Sequence, residues 1–127
     1  MPLTAALDPT GTVRIITYVG EIDDDSLVRG FEAVWSQPWY VPGMAELNDL
    51  SGLTEVNVTT AGMRALAYAA MDYHREEPEG KVAIYAPAVV TFGMARMYEA
   101  LVDAEPERYR VFREPGPARA WVGLPPE

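Results

Sequence analysis

Apolar residues recur first at every second position and later at every third or fourth, and this change of period marks out the elements. Residues 3–7 and 12–20 read as two strands about a turn at Asp8-Pro9-Thr10-Gly11, where Pro and Gly favour the reversal. In the second strand Val13, Ile15, Thr17 and Val19 alternate with Arg14, Ile16 and Tyr18, so one face is wholly β-branched. Strands joined this tightly pair antiparallel. Asp23-Asp24-Asp25 follow, then Leu27, Phe31, Val34 and Trp35 at i, i+4, i+7 and i+8, one apolar helical stripe that ends before Pro38. Carboxylates there cap free N–H groups and suit the positive end of the helix dipole. They lack the alternating ligands and closing Glu of a calcium loop.

Residues 37–43, QPWYVPG, predict a loop whose Trp39-Tyr40-Val41 either cover a pocket or touch a membrane interface, or fold back and cap the end of the core, the more ordinary use of such a loop. Residues 44–50 form the third strand, and a polar turn leads to a second helix capped by Thr59 or Thr60. Met63, Leu66, Ala67, Ala70, Met71 and His74 make its expected core face, and its alanines let it lie close to a sheet. Pro and Gly within 76–80 stop it. Residues 81–86 give a fourth strand, and 89–104 a third helix carrying Phe92, Met94, Met97, Tyr98, Leu101 and Val102. Residues 108–113 give a fifth strand with Tyr109 and Val111 on one face and Phe112 on the other. Pro115-Gly116-Pro117 open a short last helix with Trp121 and Val122. The order β-β-α-β-α-β-α-β-α, with short connections, implies right-handed parallel crossovers. The expected product is one α/β domain over residues 1–127, with a mixed, mainly parallel sheet of about five strands and four helices.

Composition narrows the function classes. With 127 residues, 49% apolar and 23% charged, the chain can bury a core without staples. It has no cysteine, which excludes disulfides, thiolate metal sites and cysteine nucleophiles. A net charge of −9 argues against nucleic acid as partner and against broad electrostatic attachment to anionic lipid. No apolar run approaches the ~20 residues of a membrane span, and the N-terminus lacks a signal-peptide pattern, so a cytoplasmic location is expected. His74 is the sole histidine, with no Ser-Asp pattern beside it. Asp49 is the best isolated carboxylate, since ligands in open α/β sheets bind beyond strand C-termini. There is no glycine-rich phosphate loop, nucleophile elbow or zinc spacing, so neither enzyme activity, cofactor nor metal is expected.

Gly20-Glu21-Ile22-Asp23, Asp49-Leu50-Ser51 and residues 82–86 stand in this element order together with Phe92-Gly93-Met94-Ala95-Arg96-Met97-Tyr98-Glu99 and Val111-Phe112-Arg113. Ala118, Ala120 and Trp121 complete the series. Taken together they resemble the STAS fold of anti-sigma-factor antagonists, and especially the bacterial SpoIIAA-like (STAS/Sec14-like) family. The resemblance covers nearly the whole chain. It implies a regulatory protein-binding module acting through the third strand and second helix, with Asp49, Ser51, Thr59 and Thr60 as partner-binding or phospho-switch residues. The antagonists' Asp-Ser pair is replaced here by Thr59-Thr60 after Asn57-Val58. The Sec14-like side implies instead a carrier of an apolar small ligand or lipid with transient membrane contact, using Trp39, Tyr40, Phe92, Met94 and Met97. Gly93 would then be a hinge, or a point of close packing. A homodimer through the edge strand or through Trp35 and Trp39 stays open. An elongated apolar cavity would favour the carrier, and a filled core the regulator.

Overall fold

The computed structural model describes residues 2–41, 43–73, 80–102 and 108–126. Its elements run β1 (Leu3–Leu7), β2 (Val13–Asp23), α1 (Asp24–Trp35), β3 (Ala45–Asn57), α2 (Thr60–Tyr73), β4 (Val82–Tyr85), α3 (Val89–Leu101), β5 (Tyr109–Phe112) and α4 (Pro115–Trp121). This is the expected order. The five strands lie side by side in chain order, β1 antiparallel to β2 and each later pair parallel.

That sequential order decides where the helices go. A right-handed crossover moving always to the next strand on the same side places every crossover helix on one face. α1, α2 and α3 accordingly share one core with Ile16, Tyr18, Leu50, Val82, Ile84 and Tyr109. α4 follows the last strand and covers the opposite face, where Ala118 and Val122 pack on Val13, Leu47 and Ala83. A sheet wound in one direction has no reversal of strand order, so no switch-point crevice forms beside Asp49.

The wholly β-branched face of β2 is the shallower one. Val13 and Ile15 meet α4, whereas Val19 is 59% exposed. Arg14, Ile16 and Tyr18 face the helices and are buried more deeply as a set. On α2 the inward stripe is Gly62, Met63, Leu66, Ala67 and Ala70; Met71, expected on it, falls one position past its edge and is exposed. His74 lies outside the described residues.

Both long strands outrun their expected ends. β2 continues to Asp23 and β3 to Asn57, because they pair with each other throughout, Val19 opposite Gly52 and Asp23 opposite Asn57. Residues 51–57 therefore form strand, not a polar turn. Their polarity reflects a two-stranded extension that reaches past β4, which pairs with β3 only from Glu46 to Asp49. Gly20 takes φ +81° at a register shift, and a Cβ on Gly52 would stand 2.6 Å from the Tyr18 carbonyl oxygen. Both positions need glycine.

Candidate functional site

Side chains alternate across a strand, so Arg14, Ile16 and Tyr18 share the helix-covered face of β2, and Glu46, Asn48 and Leu50 that of β3. The parallel register sets Arg14 opposite Glu46 and Ile16 opposite Asn48. Four polar side chains thus enter the core together, and each is satisfied by another. Arg14 Nε donates to Glu46 Oε1 at 3.1 Å. Asn48 Nδ2 donates to Glu46 Oε2 at 2.9 Å, and the Tyr18 hydroxyl donates to Asn48 Oδ1 at 2.8 Å. A carboxylate only accepts, so the amide nitrogen of Asn48 must face Glu46 and its oxygen Tyr18. Burial, then the Glu46 charge, then Tyr98 hold the Tyr18 hydroxyl well above its ordinary pKa. It is a neutral donor.

At the other end of the chain of bonds, Arg14 Nη1 donates to the Val41 carbonyl at 2.7 Å and Nη2 to the Tyr40 hydroxyl at 3.3 Å. The guanidinium also lies 3.9 Å from the centre of the Tyr40 ring. Tyr40 is therefore buried, because the loop folds back and its ring closes over Arg14. Trp39 is half-buried and only Val41 of the three is exposed.

Above this polar row the helices leave a cavity. Its empty space, counting the mouth, is about 570 Å³, and the centre of a water molecule can range over about 50 Å³ of it. One water needs only ~10–15 Å³ on that measure. Tyr18, Glu46 and Asn48 form its polar floor, with Phe31, Trp35, Leu66, Met94 and Tyr98 in its walls. The aromatic side is continuous: Tyr18 to Phe31 at 6.3 Å, Phe31 to Trp35 at 5.9 Å, and Trp35 stacked on Tyr73 at 4.9 Å. Tyr40 meets Tyr73 edge-on at 5.8 Å, which ties the aromatic wall to the Arg14 end of the polar row.

Of the five residues expected to hold an apolar ligand, Met94 lines this cavity and Trp39, Tyr40, Phe92 and Met97 do not. Thr91, Ala95 and Val102 are the buried positions on and just after α3, which turns Met97 outward at 39% exposure. Phe92 sits a turn nearer the start of α3, with the Arg113 guanidinium 5.2 Å from its ring centre. Gly93 is exposed and a Cβ there would meet nothing within 4 Å, so close packing does not explain it.

The expected partner surface is divided. Asp49 and Ser51 lie out of phase with Glu46 and Asn48, on the α4 side of the sheet, where Asp49 Oδ1 accepts from the Ser51 amide at 2.9 Å and hydroxyl at 2.6 Å. Eight steps of strand, at about 3.3 Å each, carry the chain ~26 Å from Asp49 to Asn57 before it turns to Thr59 and Thr60. Thr59 is the cap of α2: its Oγ1 accepts from the Gly62 amide at 3.0 Å and its carbonyl from Met63 at 2.9 Å. Its amide and hydroxyl donate to Asp24 at 2.7 and 2.6 Å. Asp23, by contrast, caps α1 through Ser26. Thr60 is exposed and begins the helix.

Arg14, Glu46 and Asn48 escaped the sequence reading. Their signal was phase: two polar residues on β3 and one on β2 fall in step with Ile16, Tyr18 and Leu50, where an amphipathic strand should be apolar. Among the described residues no three His, Asp or Glu side chains gather as a metal-holding group, and no helix is long and apolar enough to cross a membrane.

No protein-family model and no curated protein matches the chain. Among solved structures it is similar to an uncharacterized protein of the DUF3478 family with a SpoIIAA-like fold from Shewanella loihica PV-4. The TM-score is 0.52 at 13% identity, over 94% of this chain and 91% of that one. At that identity the likeness speaks for the fold: the chain has the SpoIIAA-like architecture that its element order led one to expect.

Proposed function

We propose that this chain is a non-enzymatic binding module that holds a small apolar molecule between its sheet and α1–α3. The observation that carries this reading is the aromatic-walled cavity set on the Tyr18–Asn48–Glu46 floor. An apolar pocket with a few convergent polar groups is the usual form of a small-molecule site. The carrier reading therefore takes precedence over the regulatory one, with Met94 the one expected ligand residue that lines the cavity.

The regulatory reading rests on the fold and on Thr60. Asp49 and Ser51 stand apart from Thr59 and Thr60, and the Thr59 hydroxyl is engaged by Asp24. A phosphate on Thr59 would meet that carboxylate, which opposes a switch there.

Native mass spectrometry of freshly purified protein tests the proposal. The expected result is protein carrying an additional small-molecule mass, or taking one up on titration with small apolar compounds. Bare protein throughout both experiments would overturn it.

A further inference from the structure

We infer that the cavity selects uncharged apolar molecules that end in a hydrogen-bond donor, a phenol in the simplest case, over carboxylates of similar shape. The inference rests on the binding role proposed above and adds its chemical selectivity.

The hydrogen bonds already made on the floor determine what remains. The Glu46 carboxylate offers roughly four acceptor directions, of which Arg14 and Asn48 occupy one on each oxygen. Tyr18 gives its single proton to Asn48 and keeps its lone pairs. Asn48 retains one amide N–H. The spare capacity facing the cavity is thus mainly acceptor, and an incoming group must bring its own proton.

Charge then separates the classes of ligand. Arg14 is not among the residues that line the cavity, and its guanidinium is engaged by Glu46, the Val41 carbonyl and the Tyr40 hydroxyl. A bound carboxylate would give up its hydration and face Glu46, and the described residues that line the cavity include no cation to receive it, in surroundings where water screens little. An ammonium would give up its hydration for a carboxylate that Arg14 already neutralises. A neutral hydroxyl avoids both costs and donates to Glu46 or to the Tyr18 oxygen. Phe31, Trp35 and Tyr98 supply flat apolar walls for a ring.

Three probes of nearly one shape test this: toluene without a donor, phenol with one, and benzoate with a charge. Each is titrated at pH 7.5 into isotopically labelled protein, following the backbone amides of Ala70 and Ala95 and the side-chain amide of Asn48. At that pH phenol is neutral and benzoate ionised, since their groups titrate near about 10 and about 4. In a purely apolar cavity toluene would lead phenol by roughly tenfold, because burying an unpaired hydroxyl is costly. The floor should erase that lead: phenol binds at least as tightly as toluene, shifts the Asn48 amide, and exceeds benzoate by tenfold or more. Toluene leading phenol by tenfold, or benzoate equalling phenol, would overturn the selectivity and leave the binding role standing. No response to any of the three would overturn both.

Discussion

Arg14 and Glu46 face each other across adjacent parallel strands, Nε to Oε1 at 3.1 Å, with neither side chain more than 6% exposed. A buried ion pair is not a simple gain: desolvation opposes the attraction, while removing one partner leaves a charge stranded. Arg14→Met and Glu46→Leu should each lower unfolding free energy by about 3–5 kcal/mol. The double variant should lose less than the sum of the two by at least ~2 kcal/mol, because it strands neither charge. Urea unfolding of the four proteins checks this; additive losses would mean that the pair acts as two independent residues.

Thr59 and Thr60 are neighbours with opposite expected responses. Thr59→Glu places a carboxylate against Asp24 and breaks the α2 cap, so a loss of about 1–2 kcal/mol is expected. Thr60→Glu sets the same charge at the exposed first position of α2, where the helix dipole favours it, and stability should hold or rise by ~0.3–1 kcal/mol. Thermal unfolding of the two variants decides the matter. Equal destabilisation would show that the contact with Asp24 has no bearing on the outcome.

Asp8 should leave a mark on the acid side of the stability curve. The Thr10 hydroxyl at 2.5 Å, aided by the amides of Val13, Thr10 and Thr12, outweighs burial and holds its carboxyl at about 2 against an ordinary 3.8. A depressed pKa contributes stability that is complete above the unfolded value and disappears as pH falls through the folded one. The stability gap between the wild type and Asp8→Asn should therefore be constant above 3.8 and close between 3.8 and about 2. Urea midpoints measured across that range supply the test, and a gap that persists to pH 2 would contradict it.

Much of the fold was legible because each element carries its own period and stop signal. Leu27, Phe31, Val34 and Trp35 form the inward stripe of α1, and Tyr109 and Val111 part from Phe112 across β5 as their alternation implies. What failed was long-range. No local pattern in residues 51–57 shows that β2 lies alongside to complete their backbone hydrogen bonds, so a polar strand reads as a turn. The site failed for a related reason. Arg14, Glu46 and Asn48 look like ordinary surface residues until the register brings them together, and only their phase with Ile16 and Leu50 betrays them. The aromatic loop drew attention for its composition, yet Tyr40 serves Arg14, and the cavity draws its rings from Phe31, Trp35 and Tyr98 instead.

The cavity as a ligand site is the central claim, and filling it is the most direct test. Ala70 lines the cavity from α2 and is 3% exposed, so Ala70→Leu projects new side-chain volume into the space a ligand would take. Toluene is titrated into the wild type and into this variant, with the amides of Ala95 and Tyr98 followed by NMR and folding checked by thermal unfolding. The wild type should show saturable shifts at these amides, and the variant, folded, should bind at least tenfold more weakly. Equal binding by a folded variant, or no saturable shift in the wild type with toluene or with phenol in its place, would contradict the claim.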